Sequence, residues 1–378
     1  MSLPVRGHRP LFPLSRIHFA SISGAVLAIT AFFGVACWAQ GESAAPPGRL
    51  ITSLAIAVNP STHKVYAVNE DLGTVSVIDE TTGATRTVKV GSGPIALAIN
   101  RVTNRIYIVN TDSDSISVMD GKTDAVIATL SIRAGSHPYV LAVDEATNKT
   151  YVTNTYSNAV EVIDGATNSV QPLKVGSADG IAVDARNNTI FLTTYEDPNI
   201  RIVNGVTGTV SKVMVGAHLW GIAFDESSGN LYLAHTGTAN IVALNENTHV
   251  VTTIPVGAIP CAVAINPATN RAYTVNYGDE TLSVIDAAKS KVLATLHLGK
   301  HPQAVAVDTV HNRVYVANVH SDSVTVIDGV TNTVIGSYDA GRNPYALAVD
   351  PAMSRIYAAN YGEPSFTRID ISGSGAQK

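Results

Sequence analysis

Short runs of alternating apolar and polar residues recur along this chain at a fixed distance. The clearest copy is Asn312 to Asn318, Asn-Arg-Val-Tyr-Val-Ala-Asn. Near copies read Lys64-Val-Tyr-Ala-Val-Asn69, Arg105-Ile-Tyr-Ile-Val-Asn110, Lys149-Thr-Tyr-Val-Thr-Asn154, Arg271-Ala-Tyr-Thr-Val-Asn276 and Arg355-Ile-Tyr-Ala-Ala-Asn360. Two degenerate copies end at Thr194 and His235. The aromatic ring falls at Tyr66, Tyr107, Tyr151, Phe191, Tyr232, Tyr273, Tyr315 and Tyr357, with gaps of 41, 44, 40, 41, 41, 42 and 42 residues. A strand-like pattern at a period near 42 predicts a repeat architecture.

Each unit predicts four short strands, A to D. In the third unit these are Tyr139 to Asp144, Lys149 to Asn154, Ala159 to Asp164 and Val170 to Gly176. The A–B turns place Asn104, Asn148, Asn188, Gly229, Asn270 and Asn312 at one repeat position. Asn and Gly tolerate a left-handed backbone, so this is hairpin chemistry. The C–D turns open on Asp79, Asp120, Asp164, Asp286 and Asp328, whose carboxylates suit the backbone N–H groups that follow.

One strand A position is alanine in all eight units: Ala57, Ala98, Ala142, Ala182, Ala223, Ala264, Ala306 and Ala348. A methyl-sized hub suits four-stranded antiparallel sheets set radially about an axis. The expected fold is therefore an all-β β-propeller. Eight A–B hairpins predict eight blades, with seven as the alternative. The eighth unit has no fourth strand pattern, and residues 48–52 are expected to fill its place.

The N-terminus differs in kind. Arg6, Arg9 and Arg16 precede an apolar run from Phe19 to Trp38, and the first acid is Glu42. Residues 1–39 read as a signal peptide, 40–47 as a linker, 48–371 as the propeller and 372–378 as a flexible tail. An uncleaved anchor, or a lipid anchor at Cys37, is the alternative. A periplasmic or secreted protein with no stable membrane span follows. Removal of residues 1–39 leaves 22 basic against 30 acidic residues, a net charge of −8. That excess disfavours nucleic acid as a partner. Cys261 is then the single cysteine, expected to be buried at the start of a strand.

The strings Tyr315-Val-Ala-Asn318, Ser76-Val-Ile-Asp79 and Val90-Gly-Ser-Gly-Pro94 resemble the repeat of the YVTN family of β-propellers. Tyr151-Val-Thr-Asn154 matches that family's signature letter for letter. The likeness covers residues 50–371 and extends to the layout of exported bacterial YncE-like proteins. It implies a binding or scaffold role and brings no catalytic motif. Units 4 and 5 depart from the pattern at Thr194, Asn204, His235 and Asn245.

In a propeller, the D–A links and B–C loops share the face at the channel mouth. His137, His218 and His301 occupy one D–A position, with Tyr139 and Trp220 close behind. The B–C loops add Tyr195, His235, Tyr277, His320 and Tyr361. These ten residues are the expected ligand-binding set, because aromatic and imidazole groups around a concave mouth suit recognition. The partner expected is a protein, peptide or glycan, and the chain is expected to be a monomer. No catalytic residue, cofactor or metal is expected. Three imidazoles a quarter turn apart cannot share one ion through bonds of about 2 Å. The rival readings are a lactonase-type hydrolase, with His235 and Glu196 as base and orienting group, and a metal or redox propeller.

Overall fold

The structure, a computed structural model, describes residues 55–361 and 366–371. The expected signal peptide, linker, closing strand and tail lie outside the described residues.

The described chain forms eight sheets in a ring, and the eight-blade expectation holds. Seven sheets have four strands and one has three, each antiparallel in chain order. Blade 1 comprises Ile56–Asn59, Lys64–Asn69, Thr74–Asp79 and Thr85–Lys89. Blade 8 comprises Pro344–Asp350, Arg355–Asn360 and Phe366–Asp370. The inner strand of blade 1 lies against those of both blade 2 and blade 8, so the ring is closed. The only helical element among the described residues is a 3-10 turn, Val319–Ser321. No described helix is long and apolar enough to cross a membrane.

The repeat aromatics are the pillars of the core. All seven tyrosines and Phe191 are fully buried. Each is paired across the sheet with the alanine of its own blade, from Ala57 opposite Tyr66 to Ala348 opposite Tyr357. Directly opposed side chains share a face with Cβ atoms about 5 Å apart. The alanine therefore makes room for the ring beside it, a reason additional to crowding at the axis. Several of the tyrosines reach forward into the next blade. Tyr66 donates to Asp124 Oδ1 at 2.8 Å, Tyr151 to Asn188 Oδ1 at 3.1 Å, and Tyr357 to Glu80 Oε1 at 2.8 Å.

Turn chemistry follows the sequence. Asn104, Asn148, Asn188, Asn270 and Asn312 have φ between 47° and 53°, the left-handed region Asn tolerates. Asp79 Oδ1 accepts the N–H groups of Thr81 and Thr82, and Asp328 Oδ1 those of Val330 and Thr331. The last Asn of the signature braces the blade from inside. Asn69, Asn110, Asn276 and Asn318 each donate to hydroxyl groups on the following strand, such as Ser76 at 3.0 Å and Ser283 at 2.9 Å.

Candidate functional site at the channel mouth

The links entering each inner strand and the loops after each second strand lie together. Thr155 N donates to His137 O at 3.1 Å, Thr236 N to His218 O at 3.1 Å, and Val319 N to His301 O at 3.0 Å. His137, His218 and His301 have φ of 49°, 63° and 51°, and Gly93, Ile259 and Asn343 sit in the same left-handed place. The backbone turn is common to all six, so imidazole is one of several ways to fill it. Asp114 caps one such link, accepting from Gly135 N at 2.6 Å and His137 N at 2.8 Å.

Two side-chain clusters form on this face. In the first, the Tyr195 ring lies 4.9 Å from His218 and 6.0 Å from Trp220, nearly perpendicular to the indole. In the second, Tyr277 stacks on His301 at 4.8 Å and 9°, and His320 meets His301 edge-on at 4.0 Å between centroids. The two imidazoles of the second cluster touch through their Nδ1 atoms. Tyr361 faces Tyr345 at 6.4 Å. His137 stands apart, against Tyr156 at 4.9 Å.

Inside the mouth runs a channel of about 540 Å³. Tyr139, Asp179, Trp220, Cys261 and Gln303 line it where the inner strands begin. Arg101, Glu145 and Glu226 line it where they end, with Arg101 paired to Glu145 at 2.9 Å. Asp179, Cys261 and Gln303 were not among the expected site residues. The signal for them was register: each stands three residues before the repeat alanine, as Tyr139 and Trp220 do. Asp179 accepts from Tyr195 N at 2.9 Å, and burial raises its pKa. Cys261 is buried at the start of its strand as expected, its sulfur 3.8 Å from the carbonyls of Val275 and Pro302.

His235 is turned into its own blade. It is buried, its Nδ1 lies 2.9 Å from Thr238 Oγ1, and burial lowers its pKa. It takes the place held by Asn in most blades. Its ring bonds Thr238 and not Glu196, so the base and orienting pair of the hydrolase reading is not assembled in this structure. Blade 4 has its own substitute. Thr194 accepts from the buried Arg201 at 2.7 Å, and Arg201 also donates to Val175 O at 2.6 Å and to Ser177 O.

No protein-family model matches this chain, and no curated protein matches it by sequence. Among solved structures it is similar to the dihydro-heme d1 dehydrogenase NirN in complex with DHE. That match has 12% identity and a TM-score of 0.71, over 84% of this chain and 72% of NirN. It is also similar to hydrazine synthase of Kuenenia stuttgartiensis, with 17% identity and a TM-score of 0.58, over 87% of this chain and 99% of that one. At these identities the likeness establishes the fold, an eight-bladed β-propeller.

Proposed function

We propose that this chain is an exported YVTN-type propeller that binds a ligand at its channel mouth without chemically changing it. The observation that carries this reading is the pair of clusters, Tyr195–His218–Trp220 and Tyr277–His301–His320, beside a largely aliphatic channel that Tyr139 and Trp220 also line. Rings set edge to face and stacked, with polar imidazole tips, offer flat apolar surface and hydrogen-bonding groups together. That combination suits a peptide or glycan segment. Export rests on the N-terminal pattern of Arg6, Arg9 and Arg16 followed by an apolar run.

The named ligand chemistry of NirN raises a tetrapyrrole as a second candidate. The channel wall offers it little. No imidazole lines the channel, and Cys261 turns its sulfur to backbone carbonyls.

The test is capture of peptides and glycans from arrays by the purified protein, followed by titration of the best binder. The double variant H218A/W220A is expected to lose at least tenfold in affinity while the ring stays folded, with some loss of melting temperature because Trp220 packs on the core. Unchanged affinity in a stably folded variant would overturn the assignment to this face.

A further inference from the structure

The blade interfaces share a polar lock on the turn face of the ring. The residue ending one inner strand meets the left-handed residue of the next blade's first hairpin. Asn59 Nδ2 donates to Asn104 Oδ1 at 2.7 Å, Asn100 to Asn148 at 3.0 Å, and Asn266 to Asn312 at 2.8 Å. A glycine leaves space for this lock. A Cβ at Gly121 would fall 2.1 Å from Asn104 Oδ1, and one at Gly329 would fall 2.5 Å from Asn312 Oδ1.

Where blade 8 meets blade 1, the three positions are Asp350, His63 and Glu80. The lock has become an acid, an imidazole and a second acid. One ligand atom from each lies within 4.8 Å of the others. Asp350 is 3% exposed and Glu80 4% exposed. Glu80 Oε2 and Asp350 Oδ2 are buried, and among the described residues no donor reaches them; the two carboxyls lie within hydrogen-bond reach of each other. Their sister oxygens are held in place. Glu80 Oε1 accepts from Tyr357 at 2.8 Å, and Asp350 Oδ1 accepts from Ala352 N at 2.8 Å and Met353 N at 3.2 Å. The nearest fixed cation, Arg355, is spent elsewhere. Its guanidinium donates to the Glu80 carbonyl at 3.0 Å and to Asp370 at 2.9 Å.

Two buried carboxylates cannot face each other uncompensated; a proton or a cation must lie between them. An adjacent imidazole tips the choice, because a nitrogen and two carboxylate oxygens are a donor set for divalent transition metals. We propose that His63, Glu80 and Asp350 bind one divalent cation of the zinc type, which fastens the ring where its two ends meet. Exposed His63 gives the ion a way in.

The test uses the full chain, stripped with chelator and titrated with zinc by calorimetry and by equilibrium dialysis. His63→Asn is the decisive variant. Asn104, Asn148 and Asn312 hold the same left-handed position, so the hairpin is preserved while the nitrogen ligand is removed. The wild type is expected to bind one more zinc ion per chain than H63N, or the same ion at least tenfold more tightly. Zinc is expected to raise the melting temperature of the wild type and to leave that of H63N unmoved. Glu80→Gln should abolish the same site. Equal zinc binding in wild type, H63N and E80Q would overturn the proposal. So would a wild-type melting temperature that ignores zinc and rises only on acidification, which would mark a shared proton as the only bridge.

Discussion

Two interfaces of the ring bury a pair of acids at matching repeat positions, and they manage the charge differently. Between blades 4 and 5 the pair is Asp184 and Glu246; between blades 8 and 1 it is Asp350 and Glu80. The first pair has Arg186 over it, 2.9 Å from Asp184 and 3.5 Å from Glu246. Burial pushes Asp184 up, but the hydrogen bonds and charge of Arg186 outweigh it and hold the carboxyl below its usual range. The residue matching Arg186 in blade 8 is Ala352; burial and the neighbouring aspartate raise the glutamate at both interfaces, Glu246 as well as Glu80, which is driven up to about 7. The same backbone lock thus becomes a closed ion pair in one place and an open ligand set in the other. The difference rests on Arg186 and Asn187 just after the inner strand, and on the left-handed position, which is Gly229 in one interface and His63 in the other.

Removing the Arg186 side chain should break the contrast most severely. Arg186→Met is expected to cost about 2–3 kcal/mol, since it strands two buried carboxyls, discounted because the guanidinium is half exposed. Chemical denaturation at pH 7.5 in chelator measures it. The opposite sign is expected at the other interface. Glu80 is raised in the folded state, so its contribution is full below its ordinary value near 4.5 and is lost as pH climbs to about 7. Glu80→Gln should therefore stabilise the metal-free protein by about 1–2 kcal/mol at pH 8 and by much less at pH 4.5. Melting curves of both proteins across that range check the slope.

A matched hydroxyl pair gives a smaller effect. Tyr357→Phe removes the donor to the buried Glu80 carboxyl and should cost about 1–2 kcal/mol, while Tyr107→Phe, whose hydroxyl meets only the neutral Thr150 side chain, should cost under about 1 kcal/mol. Ala352→Arg should sharpen the comparison most gently. Copying Arg186 into blade 8 is expected to add about 0.5–1 kcal/mol above pH 7 and to suppress zinc binding, read by denaturation and titration.

The repeat made the fold legible because each feature that builds a blade is local. The Tyr–Ala register, the left-handed Asn at 104, 148 and 312, and the Asp79-type turns all lie within one unit, and eight copies average out the noise. The mouth was legible in part. His218, Trp220, Tyr195, Tyr277, His301 and His320 do gather there, because links and loops share a face. The three histidines at one repeat position look like chemistry in the sequence, yet Gly93, Ile259 and Asn343 show a demand of the backbone. His235 read as a mouth residue because it follows a second strand, but it fills the buried slot of an Asn. The group at His63, Glu80 and Asp350 was not visible, since only closure of the ring unites the two ends. Its trace was Glu80 itself, standing where Gly121, Gly165, Gly205 and Gly329 occur.

Tyr66, Tyr151, Tyr232 and Tyr357 each bond to the blade ahead, so the interfaces are head-to-tail and have a direction. Contacts of that kind need no symmetric partner and stop growing only when rotation brings the last unit back to the first. A duplicated unit would find a ready socket on either side, which gives such rings an easy route to new members. The burden of keeping the count at eight then falls on the junction where Tyr357 meets Glu80, the one place where the two termini must agree.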